Sequence, residues 1–397
     1  MFLINVAILG FGTVGSGVYE ILKNDPDAIA KKTQDALNVK YILDIRDFDD
    51  HPEKELFTKD YNDILTDDDV KIVVEVMGGI TPAYDFTKAA LQKGKTVVTS
   101  NKELVATHGT ELIKIAKEHG VNYFFEASVG GGIPIIRPMV QCLAANTILK
   151  INGILNGTTN FILTKMFAEG STFDESLAEA QERGYAERNP SADVDGHDAC
   201  RKTAILSSLA LGKFVDYNDI PTEGISGIST TDVIFADKIG YVIKLIGSAE
   251  MTHDGKVSAL VAPRLVSKES QLSGVSSVFN AIMVEGDSLG EAMFYGRGAG
   301  KLPTASAVVA DVIDGAKHLG TNKSIIWEDH TDNIMVDPLN VSYKYFVRTT
   351  DKSLCEDLRG VEIGTSGDEI VFTTDMMKEK DFLDKADGKC SFIRILA

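Results

Sequence analysis

An unbroken apolar run, Ile4–Leu9, ends in Gly10-Phe11-Gly12-Thr13-Val14-Gly15, and a helical pattern from Val14 to Leu22 starts inside that turn. Few folds accept this combination. A strand covered on both faces reads as a continuous apolar run. At this spacing Gly10 permits a tight turn, Gly12 lets a phosphate approach the backbone, and Gly15 lets the helix pack on the strand. The helix N-terminus then offers N–H groups and a partial positive charge to phosphates. The glycines alone could be only a turn. Their position between a strand and a helix, followed by more of the same alternation, points to dinucleotide binding.

Val39–Ile45, Ile72–Val76, Thr96–Thr99 and Val121–Glu126 read as further short strands, with helical stretches such as Tyr84–Lys93 and Gly109–His119 between them. Strands alternating with helices imply right-handed crossovers and a parallel sheet. The expected fold class is α/β, with a Rossmann-type doubly wound sheet over residues 1–134. The pattern then changes. Helix Ile135–Ala145, strand Leu149–Leu155, helices near Thr159–Ala168, Phe173–Arg183 and Gly196–Leu211, and strands Tyr241–Ala249, Val257–Ala262, Val278–Val284 and Ala292–Tyr295 follow, closed by helix Thr304–Asp314. They predict an α+β domain over 135–320. A small α+β unit is expected over 337–397, from strands Ser342–Arg348, Val361–Gly364, Glu369–Thr374 and Ser391–Leu396 around helix Met376–Asp384.

Composition narrows the partners. A formal net charge of −18 argues against nucleic acid, which calls for a basic surface, and against docking on an anionic membrane. No run reaches the roughly 18 apolar residues of a membrane span. Cys142, Cys200, Cys355 and Cys390 form no C-x-x-C pair, which suggests a reducing, cytoplasmic setting rather than a disulfide framework or zinc site.

Four further stretches carry chemistry. After the second strand, Asp44-Ile45-Arg46-Asp47 offers an arginine for an NADP 2′-phosphate and carboxylates for NAD ribose hydroxyls, so NADP and NAD both stay open. Thr99-Ser100-Asn101-Lys102 lies at the carboxyl end of a strand, where ligands bind in open α/β sheets; Lys102 there either faces the ligands or only begins a solvated helix. Glu126-Ala127-Ser128-Val129-Gly130-Gly131-Gly132-Ile133-Pro134 exposes backbone carbonyls and amides, and suits a small cation, a substrate loop or a hinge. In the run 184–202, Asp198 and Lys202 are four apart and share a helix face. An exposed ion pair is the plain reading, but the helix continues as an apolar run, and buried charges are costly unless paired or functional.

Together, GFGTVG, SNKELV, EASVGGGIP, INGILNGTTN, GYAERNPSADVDGHDACRK and GRGAGKLPTASAVVADVID resemble the homoserine dehydrogenase family, in its motif order and over about four fifths of the chain. The resemblance implies reversible hydride transfer between L-homoserine and L-aspartate 4-semialdehyde with NADP or NAD, in a homodimer paired through the second domain's sheet. It assigns Lys202 and Lys102 as catalytic lysines supported by Asp198. Glu187, Asp193, Asn156, Gly157 and Thr158 would bind substrate. Gly10, Phe11, Gly12, Thr13, Val14, Gly15, Arg46 and Lys102 would hold the dinucleotide. Glu126 would mark a sodium (Na+) loop with carbonyl ligands from Val129, Gly131 and Ile133. Many relatives carry a regulatory ACT domain in the tail; here Tyr343–Thr350 runs on without its Pro-Gly turn, so the short unit reads as a degenerate, ACT-like one.

Two other readings make distinct predictions. A phosphorylating semialdehyde dehydrogenase needs a cysteine nucleophile, and neither Cys142 nor Cys200 sits on a glycine-flanked turn. A nucleotide-sensing regulator would bind the dinucleotide without turnover.

Overall fold

The computed structural model describes residues 2–330 and 332–396. Contacts group the chain into two compact units: Met1–Ala145 with Ser208–Asp216 and Gly296–Thr331, and Asn146–Ser207 with Tyr217–Tyr295 and Asp332–Ala397.

The first unit is built on six strands: β1 (Leu3–Leu9), β2 (Ala36–Leu43), β3 (Phe57–Thr58), β4 (Val70–Glu75), β5 (Thr96–Thr99) and β6 (Tyr123–Phe124). Every neighbouring pair is parallel, in the order β3-β2-β1-β4-β5-β6. This is the doubly wound sheet expected from the alternation. Val6, Ala7, Ile8 and Leu9 are all fully buried, which is why β1 shows no polar alternation. The order reverses between β1 and β4, which defines the switch-point crevice at their carboxyl ends.

Several boundaries differ from the expected elements, strand Val121–Glu126 shortening to Tyr123–Phe124 and helix Met376–Asp384 starting only at Glu379, and three of the differences have a visible reason. Strand β2 stops at Leu43 rather than Ile45, because the Asp44 carboxylate accepts the Phe11 N–H at 2.7 Å. The helix expected from Gly109 begins at Lys102, where the Asn101 side chain accepts the Leu104 N–H at 3.1 Å as an N-cap. The helix expected over Ile135–Ala145 shrinks to a π-helical turn, Pro138–Cys142; proline removes a donor from that stretch.

Helix Lys301–Lys317, which the sequence order placed with the second domain, lies in the first unit's core. It packs on helix Thr13–Asn24 at Gly17, where a Cβ would come 2.9 Å from the Ala305 methyl.

In the second unit the strands are β7 (Ile148–Ile154), β8 (Tyr241–Met251), β9 (Val257–Ser267), β10 (Phe279–Gly286), β11 (Gly290–Arg297), β12 (Ser342–Tyr343), β13 (Tyr345–Thr349), β14 (Val361–Ser366), β15 (Glu369–Thr373), β16 (Met377–Lys378) and β17 (Ser391–Ile395). Nine form one mixed sheet, ordered β11-β10-β7-β8-β9-β17-β13-β15-β14, while β12 and β16 pair with each other. The tail does not stand apart: β17 lies parallel to β9, so its strands extend the same sheet. Helices Gly157–Glu169 and His197–Leu211 carry the chemical residues of this unit. The second of them lies close on β8, because a Cβ at Gly247 would meet Thr203 Oγ1 at 2.2 Å. Among the described residues no helix is long and apolar enough to cross a membrane.

Candidate active site

The predicted site residues fall into two groups, one in each unit. In the first unit, Gly10 has φ +95°, a conformation that favours glycine. A Cβ at Gly15 would lie 1.9 Å from the Gly10 carbonyl oxygen, so no side chain fits there. At Gly12 a Cβ would meet nothing within 4 Å. The turn is thus closed on its strand side and open at Gly12, and the helix opening at Thr13 points its N-terminus there. These residues fit a dinucleotide pyrophosphate.

Beside the loop, Asp44 and Arg46 hold each other. Arg46 Nε donates to Asp44 Oδ1 at 3.0 Å and Nη2 to Oδ2 at 2.9 Å, and Nη2 also donates to the Phe11 carbonyl at 2.9 Å. The guanidinium holds the Asp44 carboxyl well below the usual carboxylate range. Arg46 is exposed and lies over the Phe48 ring at 5.2 Å. Phe11 packs edge-on against Tyr19, Phe48, His51 and Phe57, so its own contribution is an aromatic floor under the loop.

Lys102 is the first residue of its helix and is half-buried. A cation at a helix N-terminus opposes the macrodipole, so the position gives Lys102 no stabilising role of that kind. Glu126 is buried and its carboxylate is fully engaged: Oε1 accepts from the N–H groups of Ile135 and Ile136, at 2.6 and 2.7 Å, and Oε2 from Arg137 at 2.7 Å. The side chain therefore starts the helical turn that follows, so a cation on this loop would have to be held by its backbone oxygens. The loop folds back on itself, with a Cβ at Gly130 only 2.6 Å from the Ile133 carbonyl oxygen, while Gly131 has φ +57°. Val129 and Ile133 are buried. Among the described residues no group of three or more His, Cys, Asp or Glu side chains is placed to hold a metal.

In the second unit, Lys202 Nζ donates to Asp198 Oδ2 at 2.7 Å and to the Leu155 carbonyl at 2.8 Å. The pair is not an exposed salt bridge, since Lys202 is 7% and Asp198 6% exposed. Asn156 Nδ2 bridges Asp198 Oδ2 at 3.0 Å and Asp193 Oδ1 at 2.7 Å. Burial pushes the Asp193 carboxyl up, and the nearby Asp198 charge adds to this. Thr158 Oγ1 donates to the Tyr185 carbonyl at 2.7 Å. Gly157 is small for a reason: a Cβ would lie 2.8 Å from the Val278 carbonyl oxygen. Lys202, Asp198, Asn156 and Asp193 thus form one chain of contacts. Glu187 is exposed on its loop, outside that chain. Cys200 is buried with Sγ against the Tyr217 carbonyl, and Cys142 is exposed on the π-helical turn.

Two residues of the first unit joined no predicted role. Glu75, at the end of β4, and Asp311, on helix Lys301–Lys317, are buried carboxylates wired to the loops just described. The signal available was a carboxylate set inside an apolar strand or helix face.

The glycine loop, its parallel sheet and the buried lysine–carboxylate pair define a dinucleotide-dependent oxidoreductase class. Comparison with known proteins agrees. The family model for the homoserine dehydrogenase NAD-binding domain matches residues 10–126, and that for homoserine dehydrogenase matches 134–313. Homoserine dehydrogenase from Synechocystis is 47% identical over 78% of this chain and 73% of its own length, and that from Lactococcus lactis is 39% identical over 99% and 92%. A solved homoserine dehydrogenase from Thiobacillus denitrificans superposes with a TM-score of 0.90 at 33% identity, over 99% of this chain and 98% of that one. A hyperthermophilic archaeal homoserine dehydrogenase mutant, solved in complex with NADPH, matches at 0.67 and 31% identity, over 79% and 98%. The chain belongs to the homoserine dehydrogenase family and is an oxidoreductase with an NAD-binding domain.

Proposed function

We propose that this chain interconverts L-homoserine and L-aspartate 4-semialdehyde, with Lys202 acting on the substrate oxygen. The observation that carries this assignment is the buried contact of Lys202 with Asp198 and the Leu155 carbonyl. In the oxidation the carbinol C–H bond breaks with its electron pair leaving as hydride, and the hydroxyl proton passes to solvent water, with Lys202 relaying it as an acid–base group. A bound nicotinamide dinucleotide supplies the hydride-accepting ring carbon. The Lys202 ammonium stabilises negative charge developing on oxygen, and in reverse it polarises the aldehyde carbonyl. Asp198 and the Leu155 carbonyl hold Nζ in one place, so little reorganisation is needed as charge develops. Through Asn156, Asp198 is joined to Asp193, which with Glu187 is assigned the substrate ammonium, Gly157 and Thr158 lining the same pocket. Lys102 is the second catalytic lysine of this reading, on the dinucleotide side.

Both NADP and NAD fit the loop. Asp44 suits ribose hydroxyls, and Arg46 suits a 2′-phosphate once it releases Asp44. A monovalent cation, sodium, would sit on the 126–133 loop, held by the carbonyls of Val129, Gly131 and Ile133; hard oxygen donors suit such an ion. A homodimer in the cytoplasm completes the reading.

The test is reduced nicotinamide formed from L-homoserine with each dinucleotide in turn. Lys202→Ala is expected to lower kcat by roughly 10²–10³-fold, the scale of losing one oxyanion-stabilising group, while dinucleotide affinity stays native. Native protein that binds dinucleotide but turns over neither substrate would overturn the enzyme reading in favour of a sensor.

A further inference from the structure

We propose that Glu75 is a positioning residue that locks together the two loops at the dinucleotide end of the sheet, Val76–Gly79 and Thr99–Asn101, and thereby sets dinucleotide affinity. This rests on the dinucleotide reading above and assigns that site a residue with no predicted role.

The geometry is specific. Glu75 is the last residue of β4, fully buried, and paired in register with Leu9 of β1 and Thr99 of β5. It therefore stands behind the switch point. Oε1 accepts the Met77 N–H at 2.9 Å, and Oε2 accepts the Thr99 hydroxyl at 2.6 Å. Thr99 Oγ1 in turn accepts the Asn101 N–H at 2.9 Å. Asn101 closes the circuit. Its Nδ2 donates to the Gly79 carbonyl at 2.6 Å, and its Oδ1 caps the helix that Lys102 opens. On the other side, Val76 donates to the Leu9 carbonyl at 3.0 Å, and a Cβ at Gly10 would meet Met77 Cα at 3.1 Å. One carboxylate thus connects the segment against the glycine loop to the turn that presents Lys102.

The contacts match a carboxylate. Both oxygens are acceptors, matched to an N–H and an O–H that point inward. Burial pushes the Glu75 carboxyl up, while the Thr99 hydroxyl, the Met77 N–H and the Asn101 side chain favour its charged form. An apolar residue would fill the space and leave the Met77 N–H without its partner, a costly omission in the interior. A structural alternative would have the carboxylate serve stability alone. It predicts a loss of Tm with no selective change in dinucleotide affinity.

The experiment is a fluorescence titration of NADPH and NADH on the full chain, with amide hydrogen exchange on the same samples. Glu75→Gln replaces one acceptor with an NH2 donor, so the Thr99 hydroxyl loses its acceptor and must turn its hydrogen away from residue 75. It is expected to weaken dinucleotide binding about 10-fold and to speed exchange at Met77–Gly79, leaving β1 unchanged. Thr99→Val should weaken binding about 3-fold, and Thr99→Ser, which keeps the hydroxyl, should restore native affinity. If Glu75→Gln does not fold, the Thr99 pair decides, and equal affinities in Val and Ser variants overturn the proposal. Native dissociation constants in a folded Glu75→Gln also overturn it, leaving the dinucleotide reading intact. Native protein that binds neither dinucleotide overturns both.

Discussion

Asp311 lies fully inside the first unit, where it accepts the Glu126 N–H at 2.9 Å and forms an ion pair with Arg137. Burial and the neighbouring Glu126 charge outweigh that partner and push its carboxyl up to about 7. The raised value fixes a sign. A group that binds its proton more tightly when folded contributes stability that is fully present below its ordinary, unfolded value of 3.8 and is lost as pH rises to about 7. Asp311→Asn has no such titration. The Tm of the native protein minus that of the variant should therefore fall between about pH 4 and pH 7 and level off above, read by calorimetry at fixed ionic strength. A difference that stays constant or rises would show that Arg137 dominates instead. Asp311 was legible in part, as an acid on the helix face of Val308 and Val312. Its partner was not, because Glu126 lies 185 residues away in the chain.

At the scale of elements, two boundaries moved where a side chain captured a backbone group. Asn101 starts a helix a full two turns before its apolar periodicity becomes clear, and Asp44 ends a strand by turning to Phe11. Short polar side chains compete locally with helix and strand hydrogen bonds, and a pattern of apolar residues does not register that competition. The glycine loop differs, since its constraint is written in the residue type itself. Gly15→Ala would place a methyl 1.9 Å from the Gly10 carbonyl. Backbone must move to relieve this, so dinucleotide affinity should drop by at least roughly 100-fold, about 2.7 kcal/mol. Isothermal titration would measure it. A Gly15→Ala variant that binds normally would mean the loop is softer than its contacts imply. The control is Gly12→Ala, which meets nothing in the protein and should lose affinity without losing Tm.

For the second unit as a whole, the decisive contacts lie where the tail joins the large sheet. Arg394 on β17 is buried and pairs with Glu379 and, at 2.8 Å, with Glu223. Glu379 also accepts the Tyr345 hydroxyl at 2.6 Å. Arg394→Ala leaves the Glu379 charge buried without its cation, which should cost about 3–5 kcal/mol. Urea unfolding would register it as a lower midpoint; a loss below about 1 kcal/mol would mean the seam is held by packing around Phe382 rather than by charge. The expected small C-terminal unit was legible as strands and a helix. That those strands extend a nine-stranded sheet was not, because the pairing that joins them, Arg394 on β17 opposite Arg264 on β9, links segments far apart in the chain.

By itself the sequence determined the parallel α/β half, the glycine loop, the helix that carries Asp198 and Lys202, and the family to which those motifs belong. These are short-range properties: a residue's own conformational limits, or a period of two or 3.6 positions repeated over a few turns. Tertiary structure alone decided that Lys202 and Asp198 are buried with Asn156, that helix Lys301–Lys317 serves the first unit, and that Glu75 faces Met77 and Thr99. The reason is physical. Burial and hydrogen-bond partnership depend on which distant segments the topology brings together, and no local pattern records them.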